Sequence, residues 1–285
     1  MNENIFLEAE KKNKNYQKES LLSTAYFKDL NNSSFLSQSF ITLTAVFNIF
    51  FIFLVILSLF FESSVSDIVN VFRNITILSA FKITFFSLII SALLTIFLGV
   101  PFSYIISRKN RYLNKILNII ISLPLLLPPS ISGLALLLSF GSQGILSNLS
   151  SNIAFSFTSL IIVQLFVMLP LFTLTLKSSF SAIDKNIVEA ARVEGAAEND
   201  LLFKIYLPMS LRAFITALII SVLRAAGEFG ATIIFAGNMS GKTQTLTTAI
   251  YSLTQTNLSQ AVALSVIMLS SFLLPLFLVE FKIRV

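Results

Sequence analysis

FITLTAVFNIFFIFLVILSLFF, residues 40–61, is a run of 22 residues that contains no charged side chain. A helix needs about 20 consecutive apolar residues to cross the hydrocarbon core of a bilayer. Further long apolar runs follow at 81–106, 116–140, 153–176, 211–236 and 259–279. Barrel strands are much shorter than these runs, so the spanning elements must be helices. The sequence therefore predicts an all-α, polytopic membrane protein with six transmembrane helices.

The composition of the 285 residues excludes several classes of function. Hydrophobic residues make up 55% and charged residues 12%, and the mean hydropathy is +0.85. A soluble domain carries about 25% charged residues, so a soluble enzyme or a nucleic-acid module does not describe this chain. The chain has no Cys and no His, which removes thiol nucleophiles and the commonest general base and metal ligand. We expect no catalytic residue, no metal site and no cofactor.

The distribution of Lys and Arg predicts how the chain is oriented, because cytoplasmic loops of membrane proteins carry an excess of these residues. Sixteen of the 20 Lys and Arg lie in the N-terminal segment, the second-to-third connection, the fourth-to-fifth connection and the C-terminus. The opposite connections hold only Arg73 and Lys242. Both termini are therefore predicted to be cytoplasmic, and the net charge of +6 is a topology signal.

The fourth-to-fifth connection contains the sequence EAARVEGAAENDLLFKIYLPMS, residues 189–210. We expect a short helix from Ile187 to Val193 and a sharp turn at Gly195, since glycine tolerates backbone conformations that other residues avoid. A second short helix should begin at Glu198 and be stopped by Pro208. Two short helices on a membrane domain are too small for a catalytic unit and are typical of a docking feature.

This segment resembles the EAA loop of the membrane subunits of binding-protein-dependent ABC importers. The family pattern is EAA, three residues, Gly, nine residues, Ile, one residue and Leu-Pro. The chain matches it in register at Glu189, Ala190, Ala191, Gly195, Ile205, Leu207 and Pro208. The resemblance implies that these residues couple the chain to a separate ATP-binding ABC subunit, present in two copies. It also implies an extracytoplasmic binding protein as a partner.

Composition and hydropathy, together with the resemblance from about residue 75 onward, divide the chain into three parts. Residues 1–38 are a polar cytoplasmic N-terminal tail, and 39–62 form the first transmembrane helix. Residues 75–281 form the ABC permease transmembrane domain, with the cytoplasmic EAA coupling loop at 177–210.

Two further stretches indicate a substrate class. LPLLLPPSISGLALLLSFGSQG, residues 123–144, and GEFGATIIFAGNMSGKTQTLTTAIY, residues 227–251, resemble the molybdate permeases and, more loosely, the sulfate permeases. The resemblance implies an importer of molybdate or tungstate in which two identical permeases pair in the bilayer. Sulfate or thiosulfate stays open as the alternative, because the extra first span is usual in the sulfate type, which pairs two different permeases.

Prolines and glycines within two of the apolar runs point to a translocation path. Pro128 and Pro129 should interrupt the third helix, and Gly227 and Gly230 bracket Glu228 in the fifth. Broken backbone at membrane depth is tolerated only against protein or beside a water-filled path. Hydroxyl groups nearby supply donors for a tetrahedral oxyanion. The path or gate candidates are Pro128, Pro129, Ser130, Ser132, Gly227, Glu228, Gly230 and Thr232.

Arg224 and Glu228 are four residues apart and face one another if the helix is intact. A charge at the bilayer centre costs about 2.5–3.5 kcal/mol on insertion scales, and pairing offsets part of this cost. We interpret the two as an intramembrane ion pair with a structural role. A gating or path-lining role is the alternative.

AGNMSGKT, residues 236–243, fits a loosened P-loop pattern. A P-loop follows a buried strand and opens a helix, whereas this segment lies in a short connection between two spans, so we expect no ATP binding there. A self-sufficient carrier or channel is a more distant alternative, for which only Glu228 offers a coupling carboxylate. The predicted location is the cell (inner) membrane, or the inner envelope membrane if the gene is in a plastid.

Overall fold

The computed structural model describes residues 39–107, 112–147 and 153–278. The predicted tail 1–38 and residues 279–281 of the predicted permease domain lie outside the described residues, as do Arg108, Lys109 and Arg111 of the second-to-third connection. Every regular element in the described ranges is helical, in agreement with the predicted all-α class. The helices are α1 (Ser39–Glu62), α2 (Val65–Arg73), α3 (Ile75–Ser107), α4 (Tyr112–Leu126), α5 (Pro129–Phe140), α6 (Phe157–Ala182), α7 (Lys185–Val193), α8 (Glu198–Met209), α9 (Leu211–Ala226), α10 (Gly230–Phe235), α11 (Leu246–Thr256) and α12 (Leu258–Leu278).

Among the described residues, most of the helices that are long and apolar enough to cross a membrane correspond to the predicted runs. Four of them are single helices: α1, α3, α6 and α12. Two more candidates are bent pairs, α4 with α5 at 112° and α8 with α9 at 77°. Six spans result if each bent pair counts as one, which is the predicted number. The second pair differs from the predicted run 211–236, because it begins at Glu198 in the predicted coupling loop and does not include α10. The cytoplasmic position of the termini stays a prediction.

The chain divides into two units, Met1–Phe60 and Phe61–Val285. The described part of the first unit is most of α1, a helix of 24 residues whose most apolar 18-residue stretch has a mean hydropathy of 2.7. The second unit contains the remaining helices and all of the predicted site residues.

The centre of the second unit is the long contact between α3 and α6, where small and polar side chains let the two backbones approach. Gly99 lies so close to Phe172 that a Cβ atom at this position would be 2.6 Å from the ring. The buried Gln164 amide accepts a hydrogen bond from Ser91 at 3.0 Å and donates one to Ser87 at 2.9 Å. Close approach of small residues and hydrogen bonds between side chains are the usual means of joining helices in lipid.

Buried apolar side chains form three clusters around this contact. One joins α3, α6, α8 and α9 through residues such as Phe172 and Leu201. A second joins α5, α6 and α10, with Phe235 fully buried in it. The third joins α2, α3, α11 and α12. The clusters fix α8 at one end of α3 and place the break between α9 and α10 against α5.

Helix α11 occupies much of the connection between the fifth and sixth apolar runs, where no apolar run predicts a helix. Thr245 begins it as a capping residue, since its side chain accepts from the backbone N–H of Thr248. The backbone N–H of Leu246 donates to the Thr84 hydroxyl of α3 at 3.0 Å. These contacts attach the connection to the bundle.

Candidate functional site

The third span breaks where the sequence predicts. Helix α4 ends at Leu126 and α5 begins at Pro129, with the two axes bent by 112°. Proline has no backbone N–H and disfavours helical geometry in the preceding residue, so a Pro-Pro pair ends one helix and opens the next. Pro128 has extended backbone angles (φ −53°, ψ 141°), as expected for a residue that precedes proline.

The fifth span breaks as well, after Ala226, and resumes at Gly230. The two breaks touch one another. A Cβ atom on Gly230 would lie 2.6 Å from the Cβ of Pro129, and one on Gly133 would lie 2.8 Å from the Cα of Ala231. The missing side chains at Gly230 and Gly133 are therefore what allows α5 and α10 to pack backbone against backbone.

Glu228 lies in the second break, with only 3% of its side chain exposed. Its Oε2 accepts from Arg224 Nη1 at 2.8 Å, and its Oε1 accepts from the backbone N–H of Ala231 at 3.0 Å. The second bond caps the N-terminus of α10. The hydroxyls of Thr232 and Thr247 donate to the Glu228 carbonyl at 3.3 and 3.1 Å. All the polar groups of this carboxylate and its carbonyl are thus held by named partners.

The predicted ion pair of Arg224 and Glu228 is present, although the helix is not intact between the two residues. The two side chains were expected to face each other on an intact helix. Helix α9 instead ends at Ala226, and the backbone N–H of Gly227 closes it on the Leu223 carbonyl at 3.2 Å. Glu228 therefore reaches Arg224 from the non-helical break.

A small cavity of about 90 Å³ lies at the junction of the two breaks. Three of the predicted path residues line it: Pro129, Ser132 and Glu228. Pro128, Ser130 and Gly227 are exposed beside it, Gly230 packs on Pro129, and Thr232 is buried. The lining residues that sequence reasoning missed are Pro124, Leu125, Leu127, Phe166, Val167 and Ala231. Phe166 and Val167 belong to an uninterrupted apolar run, which carries no signal to single them out.

The fourth-to-fifth connection forms the two short helices predicted for it. The Asp184 carboxylate caps α7 by accepting from the backbone N–H of Asn186 at 2.9 Å. Gly195 follows with φ +89°, a conformation that glycine adopts without strain. Helix α8 contains one π-helical stretch, Leu201–Tyr206, and ends at Met209, one residue after Pro208.

The structure divides the predicted coupling residues into an exposed and a packed group. Ala191, Ile205 and Leu207 are half-buried against the cluster that joins α3, α6, α8 and α9. The exposed members are Glu189, Ala190, Gly195 and Pro208. The packed group attaches the loop to the bundle, and the exposed group presents α7 and its turn outward.

Glu198, which the sequence indicated only as the start of α8, also links the loop to the bundle. Its carboxylate accepts from the Tyr104 hydroxyl of α3 at 2.5 Å and from Arg192 of α7 at 3.1 Å. Tyr104 also packs edge-on against Tyr206, with ring centroids 5.0 Å apart. These side-chain contacts join α7 to α3, so a displacement of α7 can move α3. A tyrosine at the end of a long apolar run, near a basic connection, is the signal that could have indicated Tyr104.

The P-loop-like segment has the wrong surroundings for nucleotide binding. Helix α10, and not a strand, precedes it, and its residues form turns with φ +77° at Gly237 and +74° at Gly241. The Thr243 hydroxyl accepts from the backbone N–H of Met239 at 3.1 Å. The segment is a structured turn between α10 and α11.

Broken spans that meet at a cavity, together with a paired-helix loop at the end of the bundle, are typical of a membrane transport subunit. The chain matches, over residues 99–281, the model of the family described as "Binding-protein-dependent transport system inner membrane component". Because the match covers more than half of the chain, the protein belongs to this family. It is a membrane-spanning permease subunit of a transport system that works with a binding protein.

Curated relatives agree with this assignment. The chain is 34% identical over 254 residues to the "Probable transport system permease protein NifC" of Clostridium pasteurianum, which covers 87% of this chain and 88% of the relative. It is 30% identical over 209 residues to the "Molybdenum transport system permease protein ModB" of Escherichia coli (strain K12), covering 70% and 91%. It is 34% identical over 182 residues to ModB of Mycobacterium tuberculosis, covering 62% and 69%.

Solved structures share the fold. A chain of a bacterial alginate ABC transporter, crystallised with an alginate pentasaccharide-bound periplasmic protein, superposes with a TM-score of 0.67 at 16% identity. The match covers 86% of this chain and 94% of that one. At this identity, the similarity shows the fold alone.

Proposed function

We propose that this chain forms the membrane path of an ATP-driven ABC importer for molybdate or tungstate. The observation that carries the choice of cargo is the 30–34% identity to several permeases named for molybdenum transport. Hydroxyl and backbone donors around the two helix breaks suit a tetrahedral oxyanion. The walls of the cavity are otherwise mostly apolar, which suits passage better than tight capture. High-affinity capture then belongs to the extracytoplasmic binding protein.

The coupling loop is the contact with two ATP-binding subunits in this proposal. Ile187, Ala190 and Val193 lie at spacings of three on α7 and are all exposed, Val193 by 89%. An apolar helix face that its own chain leaves uncovered fits a groove in a partner. The basic residues of this connection favour its position on the cytoplasmic side, where ATP is available.

The transport cycle follows from the two attachments of the loop. Closure of the ATP-bound subunits would move the α7 helices of two identical permeases together. The packed residues of α8 and the link from Glu198 to Tyr104 would pass this movement to α3 and to the broken helices beside α6. ATP binding then favours one orientation of the path because the subunits contact α7 differently in the two states.

Uptake by cells deleted for the gene tests the proposed cargo. Uptake of labelled molybdate should fall and should return with the parent chain, and unlabelled tungstate should compete better than sulfate. Unchanged molybdate uptake in the deleted cells, or competition by sulfate alone, would overturn the assignment.

A further inference from the structure

The cavity between the two helix breaks is lined by one positively charged side chain, Arg224, and one negatively charged side chain, Glu228. The two differ in how much of each side chain is exposed. The Glu228 side chain is 3% exposed, whereas that of Arg224 is 48% exposed. We infer that Arg224 is the cation that contacts the oxyanion in transit, that Glu228 positions it, and that the Ser132 hydroxyl is a second donor. This inference rests on the proposed function, since it takes an oxyanion as the cargo.

Glu228 repels an anion less than an unpaired carboxylate would. One of its oxygens accepts from Arg224 and the other from the backbone N–H of Ala231. The negative charge is therefore both buried and hydrogen-bonded at each oxygen. The hydrogen bond from Arg224 Nη1 to Glu228 holds one edge of the guanidinium in place.

The guanidinium keeps most of its donors for another partner. It has five N–H groups in a planar fork that matches the geometry of oxyanions. Within the described residues, its one hydrogen bond is that from Nη1 to Glu228. The remaining N–H groups belong to a half-exposed side chain that lines the cavity.

A second group that lines the cavity points to the same kind of ligand. Ser132 lies in the first turn of α5, is 4% exposed and lines the cavity. Its hydroxyl makes no hydrogen bond to any other residue in the part of the chain that the structure describes. Helix α5 has 12 residues, so its N-terminus adds partial positive charge to this wall.

The size and charge of the cavity suit transient contact. Its volume of about 90 Å³ has room for several water molecules, and so for an ion of five heavy atoms. A single paired arginine among proline, leucine, phenylalanine and valine side chains gives a weak site that an ion can leave. Conduction requires binding sites of this kind.

A double substitution separates this role from simple pairing. Arg224→Gln and Glu228→Gln should each lower the amount of permease in the membrane, since each leaves a partner charge uncompensated. The combined change should recover abundance. Molybdate uptake per permease should nevertheless remain lower than that of the parent by roughly ten- to a hundredfold, as expected for loss of a hydrogen bond to a charged group. Arg224→Lys should transport at an intermediate rate.

Parent-like uptake per permease in the double variant would overturn the role of Arg224 and leave the proposed function intact. Failure of the parent chain itself to transport molybdate, tungstate or sulfate would instead overturn the proposed function. The two failures are therefore distinguishable within one series of measurements.

The absence of cysteine from the chain allows a second measurement that needs no charge change. In the assembled transporter, molybdate should slow the reaction of Ser132→Cys with a small methanethiosulfonate reagent. Ser139→Cys is the matched control, because Ser139 lies on the same helix, does not line the cavity and donates to the Ala135 carbonyl. Equal reaction of Ser132→Cys with and without molybdate would overturn the assigned site.

Discussion

The loop of α7 and α8 and the junction of the two broken spans differ in what holds their residues. At the junction, Gly230 packs on Pro129, and Glu228 is hydrogen-bonded to Arg224 and Ala231, so contacts within the chain account for them. In the loop, Ala190 and Val193 are exposed and help to bury nothing. Exposed apolar residues that pack against nothing in their own chain indicate contact with a partner subunit. Residues that are held by contacts within the chain indicate a role inside the permease itself.

The largest expected effect is at the turn of the loop. Gly195→Val should abolish transport and leave the permease in the membrane, because a β-branched residue avoids φ +89° and would redirect α7. Substrate uptake measures the loss of transport, and the amount of permease in the membrane shows that the variant is still inserted. Gly241→Val is the matched control, since Gly241 also has φ +74° and open space around it. If both variants transport equally well, the loop is not the coupling element.

Substitutions at the junction should instead lower the amount of assembled permease in the membrane. Gly230→Ala places a methyl group 2.6 Å from the Cβ of Pro129, and overpacking of this kind costs about 1–3 kcal/mol. We expect less assembled permease after extraction and a lower thermal midpoint. Gly227→Ala should be close to the parent, as its nearest neighbour would be 3.7 Å away. A normal amount of the Gly230→Ala protein would show that the breaks do not pack as described.

A smaller effect is expected at the link between the two regions. Glu198→Gln weakens the bonds to Tyr104 and Arg192, so uptake should fall severalfold while ATP hydrolysis continues. Asp200→Asn is the control, because Asp200 pairs with the exposed Lys204 and surface pairs contribute little. Equal coupling ratios in the two variants would remove Glu198 from the transmission of movement.

The smallest effect is expected at Lys242. Lys242→Ala should leave ATP hydrolysis by the assembled transporter within a few-fold of the parent, since a lysine in a turn between two helices does not contact phosphates. A true P-loop lysine would be needed for hydrolysis. Loss of nucleotide binding with assembly intact would reverse this interpretation.

Local signals predicted much of the fold and part of the site. The length of the apolar runs predicted the spans, and Pro128, Pro129 and Gly195 predicted a break and a turn that depend on the backbone of those residues alone. The contact of Gly230 with Pro129 could not be predicted, because it joins positions about 100 residues apart. Glycines around Glu228 indicated the second break, while helix α11 is too polar to appear as an apolar run. The sequence therefore shows where a helix breaks or the chain turns, while only the tertiary structure shows which of these breaks contact one another.

Site-specific cross-linking tests most directly the central claim that the outward face of α7 docks on the ATP-binding subunit. Because the chain has no cysteine, a benzophenone maleimide can be attached to the single thiol of the purified Val193→Cys chain before it is assembled with the other subunits. Ile145→Cys is the matched control, as Ile145 is 87% exposed and lies in a connection predicted to face the other side of the membrane. The account predicts an ATP-dependent cross-link to the ATP-binding subunit from position 193 and none from position 145. Absence of a cross-link from position 193, or equal yields from both positions, would contradict it.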